Sequence, residues 1–443
     1  MAGGNFLTQN KLRPGGFINI DTAPKPLGTL SDRGTMTLSL PMDWGASKEI
    51  VVLSNETDFV KTLGYDLLEE PLLLIKEGLK KATKMLFYRL NEGTKATKEA
   101  DGLTVTAKYG GERGNDITVV IEADADSEDG FLVQTYLAGE LKEEQSAANI
   151  EELTDNDFVT FKGEGALSVN AGIVLTGGTS SEVKAADYSD YFKEAQQHNF
   201  NTMALTTEDP VVKGAALSFI RDMRDKEGKK AQVVLANYAS ADYEGVISVK
   251  NGVVLDSGQT LPAHLAAVYV AGATAGANVN QSNTYAAYEG AVAVDTRYLN
   301  SEIIEALQKG EFLFIERGDK VIVEQDINTF TGYEPKKGKV FSKNRVIRMI
   351  DSLANDIRQI FENYYIGKVD NNADGRNIYR NELVHYLETL QGINAIQNFV
   401  ADEDLEVLPG EEADAIVVNL YIQPVDSMEK MYMTATLVDK NQP

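Results

Sequence analysis

Only three histidines occur among the 443 residues, His198, His264 and His385, and there is no cysteine. Histidine is the side chain best suited to moving protons near neutral pH, so hydrolytic chemistry would have to be built around one of these three. A Ser-His-Asp arrangement also needs a nucleophile held beside the imidazole, and no Gly-x-Ser-x-Gly elbow is present. His264 follows Pro262 at an expected helix start, near Ser257 and Gly258, and His385 falls within an amphipathic stretch. Surface or half-buried structural histidines account for these placements, and a serine hydrolase is the alternative. Without cysteine, thiol catalysis, thiolate zinc and iron–sulfur ligation are excluded.

Three other groupings invite a chemical reading. Residues 270–277, rich in glycine and alanine, lack the lysine of a phosphate loop and the Gly-x-Gly-x-x-Gly order, so tight helix packing explains them better. Asp370, Asn372, Asp374 and Gly375 resemble the start of a calcium loop, but position twelve is Asn381 and the acid, Glu382, comes one residue late. A polar turn in which Asn372 or Asp374 caps the next helix is the competing reading. The third is a basic cluster of Lys336, Lys337, Lys339, Lys343, Arg345 and Arg348. It is either a helix start paired with the protein's own acids or a surface that docks on an acidic partner. No cofactor or metal is expected.

The background to that cluster is acidic. With 67 acidic and 42 basic residues the formal net charge is −25, which repels nucleic-acid phosphates and keeps free subunits apart. No start resembling a signal peptide and no run of the ~20 apolar residues needed to span a bilayer is seen, so no membrane partner is expected. At ~150 residues per domain, two or three folding units are expected.

The elements that must carry these groups fall into blocks. Residues 28–90 alternate strand and helix signals: a strand at 35–40, a helix opened by Pro71 with Leu72, Leu73, Ile75, Leu79 and Ala82 on one side, and a strand at 85–90. Residues 93–178 are acidic and strand-rich, with strands expected near 103–107, 117–121, 131–137, 158–161 and 173–175, as in an inserted β-sandwich or barrel. From 188 to 329 helices and strands alternate again, which predicts an open three-layer α/β domain completed by the 28–90 piece. A long helix is expected at 344–365, with Val346, Ile350, Leu353, Ile357, Ile360 and Phe361 at helical spacing, and a second at 376–390. The end alternates twice: Val418, Leu420 and Ile422, then Met431, Met433, Ala435 and Leu437, which predicts a hairpin with one apolar face. The first twenty residues cannot build a core; glycine and proline punctuate short apolar pieces, of which Phe17, Ile18, Asn19 and Ile20 read as a strand.

In order and spacing, several of these pieces resemble the tail sheath proteins of contractile phage tails and phage-tail-like particles, especially those of defective prophages. The segment from Leu12 through Arg13, Pro14, Gly15, Gly16, Phe17 and Ile18 to Asn19 is similar to the family's opening R-P-G-x-Y-I-N. Residues 33–45, the Gly110-Gly111-Glu112-Arg113-Gly114-Asn115 turn, Leu175-Thr176-Gly177-Gly178 and the terminal 423–432 motif add to the resemblance, which covers essentially the whole chain. The family often has an aromatic where Arg113 stands.

The resemblance implies an α/β and α+β multidomain fold: a subtilisin-like α/β core at 21–92 and 179–333, a β-sandwich inserted at 93–178, and a C-terminal α+β domain at 334–443 bearing a β-hairpin. It implies no enzymatic activity. The chain would polymerise helically with itself, as hexameric rings around a tail tube protein, between baseplate and tail terminator proteins. Assembly would take place in the bacterial host cytoplasm, and the product would belong to a virion or tail-like particle. An N-terminal arm at 1–20, with Phe17, Ile18, Asn19 and Ile20 as the donated strand, would add to a hairpin formed by Val418, Leu420, Ile422, Met431 and Met433, unless the second strand of that hairpin is itself donated. Lys343, Arg345 and Arg348 would be the tube contact.

Overall fold

The computed structural model describes residue 30, residues 32–124 and 130–437, and the backbone of Gly3–Gly4 and Gly16–Phe17, which pair in parallel. The chain forms two compact units, one of residues 32–355 with 424–443, the other of 356–423 with 1–31. The boundary falls inside one helix, Asn344–Tyr364.

A seven-stranded sheet centres the larger unit. Its order is Glu311–Phe312, Val246–Val249, Gln232–Ala236, Thr202–Ala204, Thr35–Leu40, Lys84–Arg89 and Ile50–Leu53, all parallel except the last. Parallel strands are covered on both faces, and the side-chain period of two decides which residue meets which layer. Met36, Leu38, Leu40, Met85 and Phe87 join one apolar cluster, Leu86 and Tyr88 the other. Between them Thr37 is buried on the second face, where its hydroxyl meets that of Tyr191 at 2.8 Å.

Helices Leu73–Leu79 and Ala263–Gly276 pack on the first face, helices Ala185–Ala195 and Pro210–Asp225 on the second. Ala263–Gly276 is apolar nearly all round, as a helix sealed between a sheet and another helix should be. The glycine- and alanine-rich run is therefore a packing device. A Cβ on Gly272 would lie 2.3 Å from the Gly78 carbonyl oxygen, and one on Gly276 1.9 Å from that of Lys81. Those atoms are backbone and cannot swing aside. Gly276→Val should destabilise the larger unit by about 2 kcal/mol, the middle of the overpacking range, as a fall in its denaturation midpoint.

The β-sandwich has four strands in each sheet. One holds Glu140–Ala147, Phe131–Leu137, Ile117–Ala123 and Asn170–Val174; the other holds Val159–Gly163, Leu103–Gly110, Gly93–Ala100 and Thr179–Ser180. Leu103, Val105 and Ala107 alternate inward, facing Ile117, Val119 and Ile121. The single tryptophan, Trp44, comes from outside these strands yet is fully buried in this cluster, edge-on to Tyr109 with ring centroids 5.4 Å apart. Arg89, at the end of a central strand, donates to the carbonyls of Gly45 and Gly110 at 2.8 Å each. Trp44 and Arg89 thus fasten the sandwich to the α/β layers.

In the smaller unit, helix Ala373–Gly392 is capped by Asn372, whose side chain accepts the Gly375 N–H at 2.8 Å. Arg380 on that helix donates to the carbonyls of Ala401 and Leu405 and so sets the start of a two-stranded antiparallel sheet, Leu405–Pro409 with Ile416–Leu420. Tyr386 donates to Asp356 at 2.7 Å, tying Ala373–Gly392 to the last turns of the long helix.

Candidate assembly site

The expected hairpin of 416–422 with 431–437 is not what forms. Ile416–Leu420 pairs with Leu405–Pro409, in register from Leu405 opposite Leu420 to Pro409 opposite Ile416. Six residues close the turn, with the Gly410 N–H on the Ala415 carbonyl at 2.9 Å, and a local closure costs less chain entropy than a return from 431. Leu405-Glu406-Val407-Leu408 alternates before Pro409-Gly410, a signal that would have located this strand. Val418 and Leu420 are therefore sheet residues, whereas Ile422, Met431 and Met433 lie outside regular structure. The second edge of Ile416–Leu420 pairs with no other strand among the described residues.

Past Pro424 no helix or strand is described up to residue 437. Met428, Met431, Tyr432, Met433 and Leu437 are each at least 76% exposed. Large apolar side chains grouped in this way mark an interaction surface rather than ordinary scatter. Of the arm residues, Ile18, Asn19 and Ile20 lie outside the described residues; for Phe17 the backbone alone is described, paired with Gly4.

Three of the six residues of the basic cluster pair with acids of the larger unit, while Lys336 and Lys339 are exposed. Arg348 is fully buried, pairs with Asp326 at 2.9 Å and donates to the Gln281 carbonyl at 2.9 Å. Its face of the helix is turned toward the α/β layers, so it is not a docking residue. Lys343 is mostly covered and its ammonium sits on Glu429. Lys337 pairs with Glu244 at 2.6 Å, and Arg345 is half-buried. Of the three residues expected at the tube contact, Arg348 is thus buried, Lys343 mostly covered and Arg345 partly exposed.

Glu429 was not singled out by the sequence, yet it is where the C-terminal segment meets the larger unit. Its carboxylate accepts from Thr284 Oγ1 at 2.9 Å, Gln325 Nε2 at 2.6 Å and the Lys343 ammonium. Burial works to raise its pKa. The hydrogen bonds and charge of Lys343, with help from Gln325 and Thr284, outweigh that and hold the carboxyl below its ordinary value of 4.5. A depressed folded pKa means that this tie is at full strength above the ordinary value and is lost as pH falls through the folded one. Because the chain has no cysteine, a spin label on Met431→Cys reports this site alone. Its mobility should stay flat from neutral pH down to 4.5 and rise only below that.

The other chemical groupings resolve into structure. His264 Nδ1 lies 3.7 Å from Glu208, and His198 Nε2 3.8 Å from Glu194. In the loop that resembled a calcium site, Asn371 donates to the carbonyls of Ala413 and Ala415 at 2.8 Å and accepts from Arg376, while Asn372 caps the helix. Among the described residues no group of three or more His, Asp or Glu could hold a metal ion, and no helix is long and apolar enough to cross a membrane.

Family comparisons span most of the chain. The family descriptions matched are "Tail sheath protein Gp18 domain III N-terminal region" at 33–90, "Phage tail sheath protein beta-sandwich domain" at 91–181, "Phage tail sheath protein central domain" at 181–329 and "Phage tail sheath C-terminal domain" at 336–437. The chain is 37% identical to the phage-like element PBSX protein XkdK of Bacillus subtilis, over 98% of this chain and 99% of that one. The crystal structure of the sheath tail protein of Desulfitobacterium hafniense is 46% identical, with a TM-score of 0.85, covering 95% of this chain and 99% of that chain. The anti-feeding prophage helical sheath in its contracted state shares the fold at 12% identity, with a TM-score of 0.58, over 96% of this chain and 99% of that chain.

Proposed function

Because the chain belongs to the phage tail sheath protein family, we propose that it is a non-enzymatic subunit that polymerises helically around a tail tube through exchanged terminal strands and contracts to drive the tube through a target envelope. The observation that carries this reading is a mismatch. The smaller unit holds a two-stranded sheet with an open edge, and the C-terminal segment holds alternating apolar residues with no described strand to pair with. A two-stranded sheet is marginal alone, and an open edge is a template for another chain's strand. Strands donated by neighbours, from residues 1–20 and from 431–437, would supply the missing partners by β-augmentation.

Each large apolar side chain so covered contributes about 1.5–3 kcal/mol of gross burial, so a junction fastened by several outlasts large movements of the subunits it joins. Contraction then needs no nucleotide. It exchanges one set of inter-subunit contacts for a better buried set while the strands keep the mesh continuous. The tail tube, baseplate and terminator proteins are the further partners in this reading, with assembly in the bacterial host cytoplasm. The arm at 1–20, the core at 21–92 and 179–333, the sandwich at 93–178 and the assembly domain at 334–443 are its working parts. Six parallel strands with helices on both faces support a subtilisin-like topology for the core, where fold carries no activity. Electron microscopy of the purified chain tests the proposal: rings or tubules are expected, and a preparation that stays monomeric at high concentration and without denaturant overturns it.

A further inference from the structure

Glu429 is an isolated fixed point in an exposed segment. Its side chain is nine-tenths covered, while Met428 before it and Met431 after it stand out in solvent. Glu429 makes three polar ties to the larger unit, and Asp426 adds a 4.0 Å approach to Lys343 and a favourable charge beside Arg345. The tie does not end at the surface. Thr284 Oγ1, which donates to Glu429, accepts the Asp326 N–H at 3.0 Å. The Asp326 carboxylate takes Arg348 at 2.9 Å, Asn344 Nδ2 at 2.9 Å and the Asn283 N–H at 2.9 Å. Asn344 Oδ1 in turn accepts from Gln232 at 3.1 Å, at the start of a central strand. A continuous polar path therefore joins the C-terminal segment to the first turn of the long helix and to the central sheet. Residues 426–430 form one wall of a groove of about 740 Å³ whose other side includes Ile304, Phe330 and Tyr333.

We propose that Glu429 is the load-bearing anchor of the C-terminal segment: it passes the pull of the neighbouring subunit that holds residues 431–437 into the subunit's own α/β layers. This rests on the strand-exchange reading above. Without the anchor, residues 424–430 form a slack tether that extends up to about 25 Å before it transmits force. With it, a pull on Met431 reaches the buried network within two residues. Glu429 and the three donors that hold it, Thr284, Gln325 and Lys343, are thus positioning residues of the assembly.

The test uses the full-length chain and two variants, Glu429→Ala and Lys343→Met, the second of which leaves the segment's own sequence intact. In the free subunit, trypsin should cut after the exposed Lys430 at least tenfold faster in each variant than in wild type. Wild-type cleavage rates in either variant overturn the anchor. In polymers, Glu429→Ala should still assemble, because its strands are intact, but a fixed shear should break its polymers to less than half the wild-type length. Equal lengths overturn the load-bearing role even if cleavage is faster. If wild type itself forms no polymer, the strand-exchange reading fails and the load-bearing role with it. The cleavage result then reports only whether the local tie exists.

Discussion

Replacing Arg348 by methionine should cost the larger unit about 3–5 kcal/mol, the penalty for removing one partner of a buried ion pair. The side chain is fully covered, and its guanidinium serves three acceptors: Asp326 at 2.9 Å, the Gln281 carbonyl at 2.9 Å and the Thr274 carbonyl at 3.4 Å. Methionine fills similar space but leaves the Asp326 carboxylate with only Asn344 and Asn283 in a low-dielectric setting. Lysine should not rescue the loss, since a single ammonium cannot reproduce the planar fork. Combining Arg348→Met with Asp326→Asn should recover a large part of it, because the stranded charge disappears. Chemical denaturation followed in the larger unit measures all three. A shift under ~1 kcal/mol for Arg348→Met would mean that the pair does not organise this region.

This pair also shows where the sequence was readable and where it was not. Helix Asn344–Tyr364 was legible from its apolar spacing, and Val346 and Ile360 are indeed buried. But Ile350 and Leu353 are only partly covered, while Asn344, Arg348, Asp351 and Ser352 face inward. Each is bonded there: Asp351 to Arg224 at 2.6 and 2.8 Å, Ser352 to Arg33 at 2.9 Å. Hydrophobic periodicity cannot find a seam made of paired polar groups, because the partners lie 18 to 319 residues away in sequence. Half of the cluster that looked available for a partner, Lys337, Lys343 and Arg348, is paired with the chain's own acids.

Elsewhere the local signals held. Thr35–Leu40, Leu103–Gly110 and Phe131–Leu137 form where strand signals between turn residues placed them. The order in which the strands pair is a long-range property that no local pattern contains. At the C-terminus, the alternation over 431–437 is β-like, but a strand exists only with a partner, and the nearby 405–409 had already taken the edge of 416–420. Glu429 was invisible for a related reason: an isolated acid in an acidic chain acquires meaning only when Thr284, Gln325 and Lys343 converge on it.

Deleting residues 1–20 should abolish polymerisation while leaving the thermal unfolding of the α/β layers and sandwich unchanged. The three apolar clusters are built entirely from residues 36–323, so the deletion removes nothing from them. What it removes is the donated strand. Four inter-subunit backbone hydrogen bonds at about 0.5–1.5 kcal/mol each amount to roughly 2–6 kcal/mol per junction. Burial of Phe17 and Ile18 adds about 1.5–3 kcal/mol for each side chain. At ~1.4 kcal/mol per factor of ten, the critical concentration should rise by at least a thousandfold, beyond any ordinary preparation. Sedimentation of wild-type and truncated chain at matched concentration measures the difference. A truncated chain that pellets like wild type shows that the arm does not join subunits.

On the strand-exchange reading, the open edge of the 405–420 sheet is completed by other subunits. A cryo-EM reconstruction of the polymer, at a resolution that traces the chain, tests this most directly. It should show residues 12–20 and 431–437 crossing subunit boundaries to lie as strands on neighbours' 405–420 sheets, in extended and contracted polymers alike. A reconstruction in which each sheet is completed by its own chain's termini, or in which its edges stay open while subunits meet through other surfaces, would contradict it.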